Sequence, residues 1–193
     1  MPPGFAKSTV VSQLYPSWYL GNHPDRSVLL ISSTDKQAKL FLNANKETMD
    51  HHEGWKETFP DVQPDPNRGW SSDGLFLRWK RDPVTGLALP DWKSRPATNK
   101  DPAMAAFGIG GPVIGRRANL ILVDDPYSQD VARSDVSREA FSAWFKQTLM
   151  SRLKPDPDCK IVVCLTRWHN QDIVNEMLEL NRQESATSIA AID

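Results

Sequence analysis

The 193-residue sequence has few cysteines, no long apolar segment and no excess of charge of either sign. Its two cysteines, Cys159 and Cys164, form no C-x-x-C motif, so a disulfide framework is excluded and reduced, buried thiols are expected. The longest apolar runs, such as "LILV" and "IVVCL", are far shorter than the ~20 residues that span a bilayer. No basic-then-apolar signal segment opens the chain. We therefore expect a soluble, cytoplasmic protein with no membrane partner.

The charge balance of the whole chain does not indicate a partner. The net charge is −1, with 23 lysines and arginines against 24 aspartates and glutamates. Overall attraction to nucleic acid is therefore not expected, although a local basic patch can supply it. Hydrophobic residues make up 39% of the chain and charged residues 24%, as in an ordinary globular domain. No internal repeat divides the chain, and its length suits one domain with a substantial core.

What the sequence does contain is a series of short, uninterrupted apolar runs. Such runs predict strands that are covered on both faces, as in a parallel sheet. Helical patterns lie between the runs, and strands that alternate with helices predict an α/β fold with a mostly parallel sheet. The runs are "SVLLIS" (27–32), "AAFGI" (105–109), "NLILVD" (119–124) and "KIVVCLT" (160–166).

Three helical patterns flank these predicted strands. They begin at Asp35, after Ser134 and after Asn170, and asparagine is a suitable N-cap for the last of them. In each pattern apolar residues recur at spacings of three and four, which predicts one buried helix face. The predicted faces are Ala38, Phe41 and Leu42; then Phe141, Trp144, Phe145, Thr148, Leu149 and Leu153; and last Ile173, Val174, Met177 and Leu178.

The region at about 50–100 departs from this alternation. The turn segment "RDPVTG" (81–86) separates "LFLRWK" (75–80) from "LALPDW" (87–92), which predicts a hairpin. We interpret the region as an insertion on the sheet rather than a second domain. Its basic side chains could face nucleic acid, but a solvated charged surface explains them as well. They are Arg78, Lys80, Arg81, Lys93, Arg95 and Lys100.

The segment "PPGFAKST", near the start of the chain, is a candidate phosphate loop. A loop of the pattern G-x-x-x-x-G-K-[ST] binds its anion with successive backbone N–H groups and a lysine, and its hydroxyl binds Mg²⁺. The lysine (Lys7) and the hydroxyl (Ser8) are present, but Met1 and Ala6 stand at the two glycine positions. Ala6 is the smallest substitute, and Gly4 supplies flexibility one turn earlier. A helix start with a solvated lysine is the alternative.

Polar residues follow two of the predicted strands. Asp124 and Asp125 end the run "NLILVDD"; in P-loop enzymes the first acid at such a strand end holds Mg²⁺ and the second acts on the attacking water. A strand followed by an Asp-Pro turn is the alternative. The segment "TRWH" (166–169) follows the next strand, where His169 alone is more typical of a helix start or of packing. Because ligands bind at the carboxyl ends of parallel strands, we expect these features to meet at one edge.

Together these stretches resemble the ATPase domain of the large terminase subunit of tailed bacteriophages, the motor that packages DNA into procapsids. The matching stretches run nearly end to end and include "GIGGPVIGRRANLILVDDP", "SRLKP" and "VVCLTRWHNQDIV". A subgroup of the family carries Gly-aromatic-Ala-Lys-Ser-Thr in its phosphate loop, which "GFAKST" resembles. The resemblance implies a P-loop NTPase of the ASCE, RecA-like type with ATP and Mg²⁺ as cofactors.

The resemblance also implies roles for the residues around the nucleotide. Lys7 and Ser8 would bind the β- and γ-phosphates and Mg²⁺. Asp124 would be the Walker B metal ligand, and Asp125 the catalytic carboxylate. The loop that binds the nucleotide would consist of Gly4, Phe5, Ala6, Lys7, Ser8 and Thr9.

The resemblance also implies a motif that senses the γ-phosphate and an arginine that acts between neighbouring subunits. Thr166 would begin the coupling motif that senses the γ-phosphate, with Arg167 and His169 beside it. These motors form rings in which one subunit can lend an arginine to its neighbour. The loop arginine of other terminases is a glycine here, so Arg116 or Arg117 is the candidate finger. Pairing of such an arginine with local acids is the alternative.

The function implied is ATP hydrolysis that drives double-stranded DNA into the procapsid. The motor would be a homo-oligomeric ring that acts with the terminase small subunit and the portal protein in the host cytoplasm. Residues 1–193 contain neither the family's lead-in strand nor its RNase H-like nuclease domain. We therefore expect an ATPase-domain fragment that alone binds ATP weakly, is marginally stable and lacks endonuclease activity. The alternatives are an inactive remnant that keeps an interaction surface, and a P-loop kinase or helicase.

Overall fold

The described part of the chain contains nine strands. The computed structural model describes residues 6–68, 70–71, 74–126, 132–166, 173–175, 177–179 and 182. In chain order the strands are β1 (Val28–Ser32), β2 (Val62–Pro64), β3 (Trp70–Ser71), β4 (Gly74–Leu75), β5 (Leu77–Arg81), β6 (Ala88–Ser94), β7 (Met104–Gly108), β8 (Leu120–Asp124) and β9 (Lys160–Cys164).

The described residues also form four α-helices, one before β1 and three between strands, and two of the four are continuous with other helical turns. They are α1 (Tyr15–Asn22), preceded by the π-helical segment Thr9–Leu14; α2 (Asp35–His51); α3 (Glu53–Thr58); and α4 (Asp135–Trp144), followed by the π-helical Phe145–Leu149 and the 3₁₀ turn Met150–Arg152. Residues 173–175 and 177–179 are also helical. None of the described helices combines the length and the apolar character needed to cross a membrane.

The main sheet has six strands in the order β3-β4-β7-β1-β8-β9. The strands β7, β1, β8 and β9 pair in parallel, and β3 and β4 add an antiparallel edge. All residues of β1, β7 and β8 are buried, which explains their uninterrupted apolar sequences. The prediction of an α/β fold with a mostly parallel sheet and flanking helices is therefore confirmed.

The four predicted parallel strands are present and adjoin one another in the order β7-β1-β8-β9. β9 is the edge strand of the described sheet, and four of its five residues are only half-buried. The seventh strand begins one residue earlier than predicted, at Met104 instead of position 105.

Helices cover both faces of the sheet. The hydroxyl of Thr34 caps α2 by accepting from the Gln37 N–H at 3.2 Å, and the hydroxyl of Ser134 caps α4 by accepting from the Ser137 N–H at 3.3 Å. The predicted face of α2 packs into the core with Leu30, and that of α4 packs into a second core on the other face. The buried helix residues are Ala38, Phe41 and Leu42 on one face of the sheet and Phe141, Phe145 and Leu149 on the other.

Two members of the predicted helix faces are placed differently. Leu153 is extended (φ −66°, ψ 135°) because the helical turns end at Arg152, and it forms a bridge with Ala118. Leu178 is 47% exposed, whereas Ile173 is buried. The predicted N-cap Asn170 lies outside the described residues.

The insertion forms a hairpin, as predicted, with shifted arms. β5 and β6 pair in antiparallel, and β2 adds a third strand; these three strands are called the hairpin sheet below. The Asp82 carboxylate closes the turn by accepting from the N–H groups of Val84 and Thr85. Leu75 belongs instead to β4 and pairs with β7 of the main sheet. The inner side chains of the hairpin sheet, such as Trp79, join the same core as α2.

One basic residue of the insertion is not on its surface. Arg95 is 4% exposed, and its guanidinium donates to the Ser27 hydroxyl and to the backbone oxygen of Arg26. Burial lowers the pKa of Arg95 to about 10. The expectation that Arg95 could face nucleic acid is wrong, because its donors satisfy backbone oxygens inside the protein.

Candidate functional site

The chain reverses its direction of winding between β1 and β8. From β1 it passes over one face through α2 and the insertion to β7, whereas from β8 it passes over the other face through α4 to β9. The carboxyl ends of the strands beside such a switch point form the usual ligand crevice of an open α/β sheet. Ser32 and Asp124 end these two strands side by side, and the Ser32 hydroxyl donates to the Asp124 backbone oxygen at 3.0 Å.

The Asp124 carboxylate is buried and only half satisfied. Its side chain is at the end of β8, and the residue is 2% exposed. Oδ2 accepts from the Ser12 hydroxyl at 2.8 Å, whereas Oδ1 is buried and has no hydrogen-bond partner among the described residues. A buried carboxylate oxygen without a donor is costly, so it fits the ligand position of a cation.

The residues present fit Mg²⁺ held partly by a phosphate. No group of three or more histidine, cysteine, aspartate or glutamate side chains in the described part of the chain is arranged to hold a metal ion. Mg²⁺ commonly binds through only one or two carboxylates together with substrate phosphates. The single oxygen Oδ1 of Asp124 suits that mode of binding.

Lys7 lies close to the same strand ends. It is 8% exposed, and its ammonium donates to the Thr166 hydroxyl at 2.8 Å across 159 positions of sequence. The thiol of Cys164, at the end of β9, is influenced by both charges. Burial and then the Asp124 carboxylate raise the pKa of Cys164, while Lys7 acts in the opposite direction. Lys7 and Asp124 are therefore both near the end of β9.

Two described residues have left-handed backbone conformations, one directly before Lys7 and one directly after β8. Ala6 has φ 51° and Asp125 has φ 40°, and they are the two non-glycine residues with positive φ among the described residues. Such a conformation costs a non-glycine residue about 1–2 kcal/mol, and strained residues collect at functional sites. Ala6 stands where the phosphate-loop pattern has glycine, the residue that adopts this conformation freely.

The Asp125 carboxylate is tied to the end of β9. Its own N–H donates to the Cys164 backbone oxygen at 2.8 Å, and its Oδ1 accepts from the Thr166 N–H at 3.2 Å. The residue itself is exposed. Asp125 therefore presents a fixed carboxylate to solvent beside the buried one.

The structure assigns the partner of Asp124 to a residue that the sequence pattern missed. Ser8, the predicted metal-binding hydroxyl, is half-buried and makes no capping hydrogen bond, and Thr9 is exposed. Ser12, one turn further along, makes the contact with Asp124. The sequence signal for this role is that Ser12 lies four residues, or about one helical turn, after Ser8. We call Lys7, Ser12, Asp124, Asp125 and Thr166 the strand-end cluster.

The two candidate finger arginines are not part of the strand-end cluster. Arg116 donates to the backbone oxygen of Lys100 at 3.0 Å and lies 3.8 Å from the Asp101 carboxylate, in the segment that leads into β7. Arg117 is exposed. The local pairing of Arg116 is the alternative considered for it, and its role as a finger stays a prediction.

Four predicted site residues cannot be located. Gly4, Phe5, Arg167 and His169 lie outside the described residues. The other predicted residues of the loop and strand ends are described above. Of these, Lys7, Asp124, Asp125 and Thr166 lie at one edge of the sheet.

Comparison with known proteins adds no assignment. No family model matches the sequence, and a search of curated proteins finds no match.

Proposed function

We propose that this chain is a P-loop ATPase of the ASCE, RecA-like class. The observation that carries the proposal is the juxtaposition of the Lys7 ammonium with the half-satisfied Asp124 carboxylate at the carboxyl edge of a parallel sheet. A cation and a metal-binding acid at that edge are what a nucleoside triphosphate with Mg²⁺ requires. The left-handed conformation of Ala6 supports a tight loop before Lys7.

Four members of the strand-end cluster, together with Ser8, have distinct roles in this proposal. Lys7 would contact the β- and γ-phosphates, and Asp124 with Ser8 would hold Mg²⁺, which would neutralise phosphate charge. Asp125 is exposed and held by the backbone of β9, so it can orient water or accept its proton. Lys7 donates a hydrogen bond to Thr166, which lies just beyond β9. Binding of a phosphate to Lys7 would therefore also affect Thr166.

Within this class we propose the DNA-packaging motor of a tailed bacteriophage, the ATPase domain of a terminase large subunit. The support is the order of the sequence motifs, with "GGPVIGRRA" before the acids and "SRLKP" before "TRWH". On this proposal ATP hydrolysis moves double-stranded DNA, in a ring that works with the small subunit and the portal protein in the host cytoplasm. Arg116 or Arg117 is then the proposed finger toward a neighbouring subunit.

Steady-state ATP hydrolysis tests the proposal. The purified chain is assayed at millimolar ATP with Mg²⁺ or with EDTA, and with or without linear double-stranded DNA. Because residues 1–193 alone are expected to bind ATP weakly, we expect slow hydrolysis at this high ATP concentration that requires Mg²⁺ and that DNA accelerates. Mg²⁺-dependent hydrolysis that DNA does not change would contradict the motor but not the ATPase class. The absence of any Mg²⁺-dependent hydrolysis would contradict both.

A further inference from the structure

Ser12 occupies an unusual position for a serine on a helix that is largely apolar. It is 1% exposed, and its hydroxyl reaches across to the end of β8 instead of bonding to its own helix. The 2.8 Å contact with Asp124 Oδ2 is a hydrogen bond to a charged acceptor, which is stronger than a neutral one. This contact occupies Oδ2 of Asp124, so Oδ1 is the oxygen without a partner among the described residues.

The backbone of Ser12 is fixed from a second side. Pro16 has no N–H to donate to the Ser12 carbonyl four residues earlier, as a helix would normally require. The Asn45 side chain, from α2, supplies a donor instead at 2.8 Å. Its Nδ2 also donates to the Phe41 carbonyl at 2.8 Å, so both neighbours of Nδ2 are acceptors and the orientation of the amide is determined. Asn45 is fully buried.

We propose that Ser12 is a positioning residue that holds the Asp124 carboxylate by Oδ2 and thereby aims Oδ1 at the divalent cation of the bound nucleotide. Asn45 supports this arrangement by holding the segment on which Ser12 lies. The inference rests on the proposed nucleotide-binding function and adds to it a residue outside the phosphate-loop motif. Partners that orient a metal-binding carboxylate typically contribute 10–100-fold to metal affinity.

A purely structural hydroxyl would behave differently, and the same helix offers a matched control. Ser17 is also 1% exposed, and its hydroxyl donates to the Leu14 carbonyl at 2.8 Å rather than to an acid. Ser12→Ala and Ser17→Ala therefore remove equally buried hydroxyls from one helix. A general loss of stability affects both variants, whereas a loss of cation positioning affects only Ser12→Ala.

The test is the divalent-cation dependence of nucleotide binding, measured by titrating a fluorescent ATP analogue at increasing Mg²⁺ or Mn²⁺. Melting temperatures are recorded for every variant, so binding is compared below the transition. We expect Ser12→Ala to raise the cation concentration needed for half-maximal binding by about 10–100-fold. Ser17→Ala should leave that concentration unchanged, and Asn45→Ala should move it in the direction of Ser12→Ala.

Each outcome separates the two proposals. If wild-type binding depends on the cation and Ser12→Ala has the wild-type dependence, Ser12 is not a positioning residue, although the nucleotide site stands. Equal shifts in Ser12→Ala and Ser17→Ala would also overturn the role of Ser12. If wild-type protein binds no nucleotide with either cation, the proposed function fails and the role of Ser12 fails with it.

Discussion

The strand-end cluster and the hairpin sheet both carry charged residues, but the two regions differ in the burial and pairing of those residues. In the hairpin sheet, Arg81 pairs with Asp61 at 2.9 Å, and Arg78 lies over the Trp92 ring at 4.7 Å and donates to Gln63. These residues are exposed or half-buried and have partners in or beside the sheet, although Nε of Arg78 is buried without one among the described residues. In the strand-end cluster, the Asp124 carboxylate is buried and keeps one oxygen without a partner.

Asp65, directly after β2, is also buried, and its Oδ2 has no partner among the described residues, so an unpaired carboxylate oxygen alone does not identify a ligand site. Asp124 differs because it lies at the carboxyl ends of parallel strands, near Lys7. Exposed charges remain solvated, so their local pairs need no further partner and contribute little energy. A buried carboxylate oxygen has lost its water, and only a cation or a donor can compensate for it. For Arg81, which is exposed and paired locally, the same comparison favours the interpretation as a solvated charged surface.

Lys7→Ala should impair both nucleotide binding and turnover. Removing the ammonium takes away the positive charge that would meet the outer phosphates, so kcat/KM for ATP should fall by about 10²-fold or more. The matched change in the hairpin sheet is Lys93→Ala, which removes an exposed lysine. Steady-state ATPase assays of both variants measure the two effects. Equal losses in Lys7→Ala and Lys93→Ala would contradict a specific role of Lys7.

Asp125→Asn should separate binding from turnover. The amide keeps the size of the side chain and can still accept from the Thr166 N–H, but it cannot take a proton from water. We expect nucleotide affinity near that of wild type and a kcat lower by about 10²–10⁴-fold. Single-turnover hydrolysis and a binding titration measure the two parts, with the exposed Asp91→Asn as control. Normal hydrolysis by Asp125→Asn would show that the catalytic carboxylate is misassigned.

Two arginines of the insertion should differ in their contribution to stability. Arg95→Ala leaves buried backbone oxygens without their donor and should lower the free energy of unfolding by about 3 kcal/mol. Arg81→Ala breaks a partly exposed ion pair and should cost no more than about 1 kcal/mol. Urea unfolding curves give both values. Similar midpoints for the two variants would mean that the burial of Arg95 contributes nothing.

The sequence predicts the main sheet and most of the strand-end cluster for a clear reason. Strands buried on both faces must be apolar throughout, so the polar residues at their ends, such as Asp124 and Thr166, are visible as breaks in the pattern. The parallel order then brings these ends to one edge. Local patterns were therefore sufficient for Asp124, Asp125 and Thr166.

Other features depended on contacts that no local pattern contains. The role of Ser12 results from a π-helical segment and from Pro16, which together leave a carbonyl for Asn45 on a different helix. The burial of Arg95 depends on the backbone oxygens around it, and those come from a distant segment. The pairing of Leu75 with β7 rather than with the hairpin also depends on tertiary contacts.

The most direct test of the central claim is calorimetric titration of a slowly hydrolysed ATP analogue, with Mg²⁺ and with EDTA, into wild-type protein, Lys7→Ala and Asp124→Asn. The account predicts that wild-type protein binds the analogue more tightly with Mg²⁺ than with EDTA. Asp124→Asn should lose that difference, and Lys7→Ala should bind weakly in both conditions. Identical titrations for all three proteins would contradict the assignment of the strand-end cluster as a nucleotide site.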